Sequence, residues 1–230
     1  MKQLQTKGIV LSRTNYGEAD RIIVVLTPDF GKLRLMARGV RKEKSKLAGG
    51  VELFSVSDFG FIKGRGEIDT LISSRLTRHY GQLVNDLSRV QLGYELIKII
   101  NRATEDQPEE AYFNLLNDGL AALNEQSIDL DLIASWFKAQ LIKQAGHSPN
   151  LLTDIADNPL SPTRRYNFDA DRMAFSLHPK GRFGSHQIKS LRLLFSDYRP
   201  AEIQNVAGLI DQLAAVSPLV QAMLTSYIRV

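Results

Sequence analysis

Between residues 7 and 73 apolar and polar side chains alternate or gather in short apolar blocks, with no helical period. Lys7 to Arg13, Arg21 to Leu26, Gly31 to Ala37, Val51 to Ile62 and Glu67 to Ser73 are rich in Val, Ile, Leu and Phe, the side chains that suit a pleated, half-buried surface. Turn-forming residues part them: Asn15-Tyr16-Gly17, Pro28-Asp29-Phe30-Gly31, Ala48-Gly49-Gly50 and Lys63-Gly64-Arg65-Gly66. Within the third block Lys32 and Arg34 alternate with Leu33 and Leu35, which predicts one cationic and one apolar face. Five short strands in under 80 residues predict a small barrel, the five-stranded oligonucleotide-binding (OB) barrel being the leading candidate.

Near residue 80 the pattern changes to helix. Leu83, Leu87, Val90, Tyr94 and Ile97 are spaced 4, 3, 4 and 3, one stripe of a helix. A second helix is expected to start near Pro108 with Glu109 and Glu110 in its first turn. A third runs from about Leu130, turns Trp136, Phe137 and Leu141 inward, and stops at Gly146 with Pro149 beyond. Ser217-Pro218 predicts the cap and first position of a last helix reaching about Tyr227. Residues 147–184 hold four of the eight prolines and no period, so they are expected to form an irregular insertion. The expected architecture is α+β: an OB-fold β-barrel over 1–80, then an all-α domain over 81–230 carrying that insertion.

Charge sharpens this division. The formal net charge is +4, and the nine residues from Arg38 to Lys46 alone carry +4 through Arg38, Arg41, Lys42, Lys44 and Lys46 against Glu43. Residues 1–80 have 15 Lys/Arg and 8 Asp/Glu; residues 81–230 have 14 and 17. Positive charge confined to one part is the footprint of a polyanion binder. The run is either a solvated loop or a phosphate track. It lies between two expected strands, continues the face begun by Lys32 and Arg34, and is joined by Lys63 and Arg65 on a glycine-flanked turn. The candidate nucleic-acid-binding residues are therefore Lys32, Arg34, Arg38, Arg41, Lys42, Lys44, Lys46, Lys63 and Arg65. Bases on a single strand also need flat surfaces for stacking. Tyr16 and Phe30, both in turns, are the candidates, whereas Phe59 and Phe61 share a face expected to line the barrel interior.

No catalytic constellation is present. The chain has no G-x-x-x-x-G-K-[ST] phosphate loop, no G-x-S-x-G and no H-E-x-x-H, and His79, His147, His178 and His186 are scattered. Glu18 and Asp20 flank a turn, where pairing with Arg13 or Arg21 accounts for them better than a metal-dependent nuclease site. Neither a cofactor nor an enzyme activity is expected. Cysteine is absent, which removes disulfides and thiolate zinc sites and fits a reducing compartment. No apolar run is long enough to span a bilayer, and the N-terminus has no signal-like apolar region. The expected location is cytoplasmic.

Several of these residues form a familiar pattern. Ile9-Val10-Leu11, Tyr16-Gly17-Glu18-Ala19-Asp20, Leu26-Thr27, Gly31, Ala37-Arg38-Gly39-Val40-Arg41-Lys42 with Ser45, Leu53-Phe54 and Gly64-Arg65-Gly66-Glu67 resemble the N-terminal region of the RecO family of bacterial DNA repair proteins. That resemblance implies an OB barrel joined to a helical domain. It implies a recombination mediator that binds single- and double-stranded DNA and anneals complementary strands at the nucleoid. The same resemblance implies help in loading a recombinase onto DNA coated by single-strand-binding protein (SSB), with a RecR-like mediator as partner. The acidic SSB tail needs a cation beside an apolar pocket, for which Lys138, Lys143, Lys189 and Arg192 are candidates. Many family members carry a four-cysteine zinc site after the third long helix. Here Asp154 and Asp157 take the place of its first pair and His178 is the nearby imidazole, a donor set that suits zinc poorly; no metal is expected. The other readings of the residues are an OB-fold RNA-binding protein in translation or RNA processing, and a protein–protein adaptor with a basic loop.

Overall fold

The apolar runs at the N-terminal end fold as five strands: β1 (Gln3–Tyr16), β2 (Asp20–Thr27), β3 (Gly31–Ala37), β4 (Ser55–Ile62) and β5 (Ile68–His79). The computed structural model describes residues 3–104 and 109–228. The strands close in the order β1-β2-β3-β5-β4, with β3 and β5 parallel and the other pairs antiparallel. This is the Greek-key order of an OB barrel, as the strand count predicted. Val10, Ile23, Val25, Leu33, Leu35, Phe59, Phe61 and Leu71 fill the interior, so the alternation in β3 does turn Leu33 and Leu35 inward.

The chain divides into two compact units, Met1–Glu125 and Gln126–Val230. The barrel ends near residue 80, where the sequence pattern changes, but its unit continues through α1 (Leu87–Ala103) and α2 (Glu110–Asn124). These helices lie against β1 and β2. There Ile9 and Leu26 pair across the strands and, with Leu11, are buried although Val10 between them fills the interior. Strand alternation puts them on the outer face, so the helices cover part of it. What remains open on the outside runs along β3 and β5, and this positions the candidate site.

The buried face of α1 differs from the expected stripe. Asp86 caps the helix, accepting from the Ser88 and Arg89 amides, and Leu83 lies before it in a separate 3₁₀ turn. Leu87 and Tyr94 are 72% and 50% exposed, whereas Arg89, Gly93, Leu96, Ile97 and Ile100 are buried. A hydropathy pattern scores neither arginine nor glycine as core. Yet Arg89 donates to the Leu123 and Glu125 carbonyls at 3.1 Å, and a Cβ at Gly93 would meet the Phe54 ring at 2.8 Å. Pro108, the expected start of α2, lies outside the described residues; Glu110 is in its first turn.

The second unit holds α3 (Leu130–Gln144), β6 (Tyr166–Asp169), β7 (Ala174–Leu177), α4 (Ser185–Leu194), α5 (Pro200–Ile203) and α6 (Leu209–Tyr227). α3 ends as expected before Gly146, whose φ is +81°, and buries Trp136, Phe137 and Leu141. Two expectations change. Residues 147–184 contain the β6–β7 hairpin, held by edge-on contacts of Phe175 with Tyr166, Phe168 and Phe183. Pro218 lies inside α6 rather than at the start of a helix. The proline removes one backbone donor, yet the apolar face of Leu213, Val216, Val220 and Leu224 continues through it.

Candidate nucleic-acid interface

Strand period 2 places Lys32, Arg34, Met36 and Arg38 in one row on the outside of β3 and its extension. They do not share one role. Lys32 is half-buried, and its Nζ donates to the Asn101 carbonyl at 3.0 Å near the end of α1, so it ties helix to barrel. Arg34 is exposed, and the parallel register sets it beside Ile68 and sets Met36 beside Thr70. At about 3.3 Å per residue, Arg34 and Arg38 are separated by about 13 Å along the strand direction.

The basic run forms an ordered turn structure. Val40 is 3% exposed and joins the barrel core. Gly39, at φ +64°, takes the left-handed turn that brings Val40 inward. Its amide donates to the Asp20 carboxylate at 2.7 Å, and the Arg41 amide donates to the Ala19 carbonyl at 2.9 Å. Tight turns follow, Lys42 N–H to Gly39 and Ser45 N–H to Lys42. With Val40 and the backbone so fixed, Arg38, Arg41, Lys42, Lys44 and Lys46 are all exposed. Glu43 is the single carboxylate among them. Asp20 therefore anchors this loop, in place of the expected pairing with Arg13 or Arg21. Arg13 pairs with Glu52 at 2.6 Å and Arg21 bonds Asn15 at 3.1 Å.

The β4–β5 turn separates its two cations. Lys63 pairs at 2.9 Å with Asp69, whose side chain is 6% exposed and which also accepts from the Gly64 amide. Its charge is committed to neutralising a buried carboxylate. Arg65, at the turn tip, is exposed. The aromatic candidates also separate. Tyr16 is 56% exposed at the end of β1, next to Gly17, whose carbonyl accepts from the Arg41 guanidinium at 3.3 Å. Phe30 packs edge-on against Phe61 at 5.5 Å and borders the core; its ring serves packing. Sequence reasoning missed Ile68 and Ile72, which are 39% and 41% exposed on β5 beside the cationic row. The signal was present, because Leu71 between them faces inward and leaves its neighbours outside.

The aspartates at the family's zinc position do not fit that ion. Asp154 is buried, and its Oδ1 accepts from the Ala156 amide at 2.9 Å and the Asn158 amide at 3.0 Å. The carboxylate closes the turn itself. His178 Nδ1 accepts from the Lys180 amide at 3.1 Å. Among the described residues no three His, Cys, Asp or Glu side chains gather as a metal site. No helix among them is long and apolar enough to cross a membrane.

The barrel and its basic loop lie within the stretch of the chain that matches known proteins. Residues 1–80 match the family model described as "Recombination protein O N terminal". The chain is 32% identical over 154 residues to the DNA repair protein RecO of Alkaliphilus metalliredigens, covering 66% of this chain and 62% of that protein. It is 34% identical over 151 residues to the DNA repair protein RecO of Dehalococcoides mccartyi (strain ATCC BAA-2266 / KCTC 15142 / 195), covering 64% and 58%. With the DNA repair protein RecO of Exiguobacterium sp. (strain ATCC BAA-1283 / AT1b) it shares 25% identity over 223 residues, covering 96% of this chain and 89% of that one. The matched stretch thus spans about three fifths of the first two relatives and most of the third. Over residues 1–80 the chain is therefore similar to the N-terminal region of recombination protein O, and its sequence contains no cysteine.

Proposed function

We propose that this protein is a non-catalytic DNA-binding mediator of recombinational repair, acting in the cytoplasm at the nucleoid. The observation that carries the reading is the row of exposed cations, Arg34, Arg38, Arg41, Lys42, Lys44, Lys46 and Arg65, presented by an anchored loop and the adjoining barrel face. Such a surface engages sugar-phosphate backbone, with Tyr16 and the aliphatic Ile68 and Ile72 available to unstacked bases. Lysine and arginine that neutralise phosphates on two strands lower their mutual repulsion, so annealing needs no nucleotide hydrolysis. Lys32 and Lys63 support the fold and stand outside the contact set.

The mediator reading extends to protein partners: SSB, a RecR-like mediator and, through them, a recombinase. Of the cations considered for the acidic SSB tail, Lys189 and Arg192 line a pocket of about 310 Å³ with Leu193, Val206 and Leu209. Lys143 instead pairs with Asp197 at 2.6 Å. An apolar pocket with a cationic rim suits a peptide ending in acidic and apolar residues. The experiment for the whole reading is annealing of two complementary oligonucleotides, bare and coated with SSB. Acceleration in both, without ATP, is expected. A rate equal to the uncatalysed one on bare strands would reject it.

A further inference from the structure

The acidic balance of residues 81–230 conceals a concentration of positive charge. Residues 161–192 contain 7 Lys/Arg and 2 Asp/Glu, while the rest of 81–230 contains 7 and 15. The β6–β7 hairpin sorts this charge along its length. Asp169 and Asp171 lie at its turn end, where Asp169 pairs with Ala174. At the open end Tyr166 pairs with Leu177 and bridges to Phe183. This gathers Arg164, Arg165, Lys180 and Arg182. The His178 amide donates to the Arg165 carbonyl at 3.0 Å, and the Arg165 guanidinium donates to the Gly181 carbonyl at 2.6 Å and the Arg182 carbonyl at 3.2 Å. A Cβ at Gly181 would strike the Tyr166 backbone, so the chain carrying Lys180 and Arg182 lies directly on the strand that follows Arg165. All four cations are exposed. Among the described residues none is within salt-bridge range of a carboxylate.

Arg182 also lines a cavity of about 510 Å³ with Phe168, Phe183 and Leu219. Positive charge beside a recess with phenylalanine rings in its wall is the combination that single-stranded nucleic acid uses, and those rings set it apart from the aliphatic pocket of Leu193, Val206 and Leu209. We infer that the open end of the β6–β7 hairpin is a second single-strand-binding surface, separate in the fold from the barrel loop. Arg164, Lys180 and Arg182 contact phosphates, Arg165 holds the two segments together, and the Phe168–Phe183 recess receives a base. One chain then holds nucleic acid at two places, which is what bringing two strands together requires. The choice of nucleic acid as the polyanion rests on the proposed function above.

The test is a salt series of oligo-dT binding, by fluorescence anisotropy, to four forms of the full chain. These are wild type, R38A/R41A/K42A/K44A in the barrel loop, R164Q/K180Q/R182Q at the hairpin, and the combination. Each phosphate contact adds about 0.7 to the slope of log affinity against log salt on single strands. The hairpin variant is expected to be shallower by about 2, with its melting temperature kept because among the described residues these three side chains have no hydrogen-bond or ion-pair partner. The charge-preserving R164K/R182K is expected to keep the wild-type slope. Residual binding by the loop variant should fall further in the combination. A hairpin variant with the wild-type slope overturns the inference, even if it loses capture of an acidic peptide. If the loop variant binds as wild type while the hairpin variant is impaired, the barrel reading fails and this one stands.

Discussion

Removing a carboxylate from a DNA-binding face ordinarily strengthens binding, and for Asp20 the structure predicts the reverse. Asp20 accepts the Gly39 amide at 2.7 Å, and with Val40 in the core this bond fixes the entry to the basic loop. In Asp20→Ala the lost charge adds little attraction: one unit charge about 10 Å from a phosphate in water is worth roughly 0.4 kcal/mol. The lost order costs more. Ordering a long side chain at an interface costs about 0.5–1.5 kcal/mol, so freeing even two or three of the loop cations outweighs the gain, for a net weakening of about tenfold. The same bond, charge-assisted and half-buried, supports the fold by about 1–2 kcal/mol, seen as a fall of roughly 3–6 °C in melting temperature. Asp20→Asn separates the effects, because it keeps an acceptor for Gly39 and removes the charge. Anisotropy with a labelled single strand should rank Asp20→Asn slightly above wild type and Asp20→Ala well below both. An Asp20→Ala protein that binds as tightly as Asp20→Asn would refute the role of loop order.

Two cations of the row should respond differently. Lys32→Met is expected to lower stability by about 1 kcal/mol, the worth of its bond to Asn101, and to leave the salt slope alone; Arg38→Ala is expected to make the slope shallower by about 0.7. Paired melts and salt titrations check both. Tyr80 supplies a pH test. Its buried hydroxyl donates to the Asn117 side chain at 2.7 Å, and burial, the largest influence, pushes its ionisation above the ordinary 10.0. The ionised form is thus disfavoured in the fold. Stability from this group is intact below pH 10 and is lost as pH rises through the raised value. Tyr80→Phe should cost about 1 kcal/mol at neutral pH and lack that alkaline loss in urea titrations.

The barrel was legible because alternation is the physics of a strand with one face in a core: Leu33 and Leu35 had to go in and Arg34 out. The loop was legible as charge, but its anchors were not. Asp20 and Gly39 are 19 residues apart, and no local pattern reports a bond between them. The same limit explains Lys32 and Lys63, whose partners Asn101 and Asp69 decide between fold and ligand. The α1 stripe failed because Arg89 and Gly93 bury by hydrogen bonding and close approach rather than by hydrophobicity. Pro218 reads locally as a helix start, and packing along α6 overrides it. The hairpin cations at residues 164–182 were invisible for another reason: averaged over 150 residues, carboxylates elsewhere cancel them.

The central claim is that exposed cations on the barrel loop hold the phosphate backbone. Its most direct measurement is the salt dependence of oligo-dT affinity for wild type and for R38A/R41A/K42A/K44A. Loss of four phosphate contacts should make the slope shallower by about 2.8, with the melt nearly unchanged because Val40, Gly39 and Asp20 remain in place. Equal slopes for the two proteins would contradict the account.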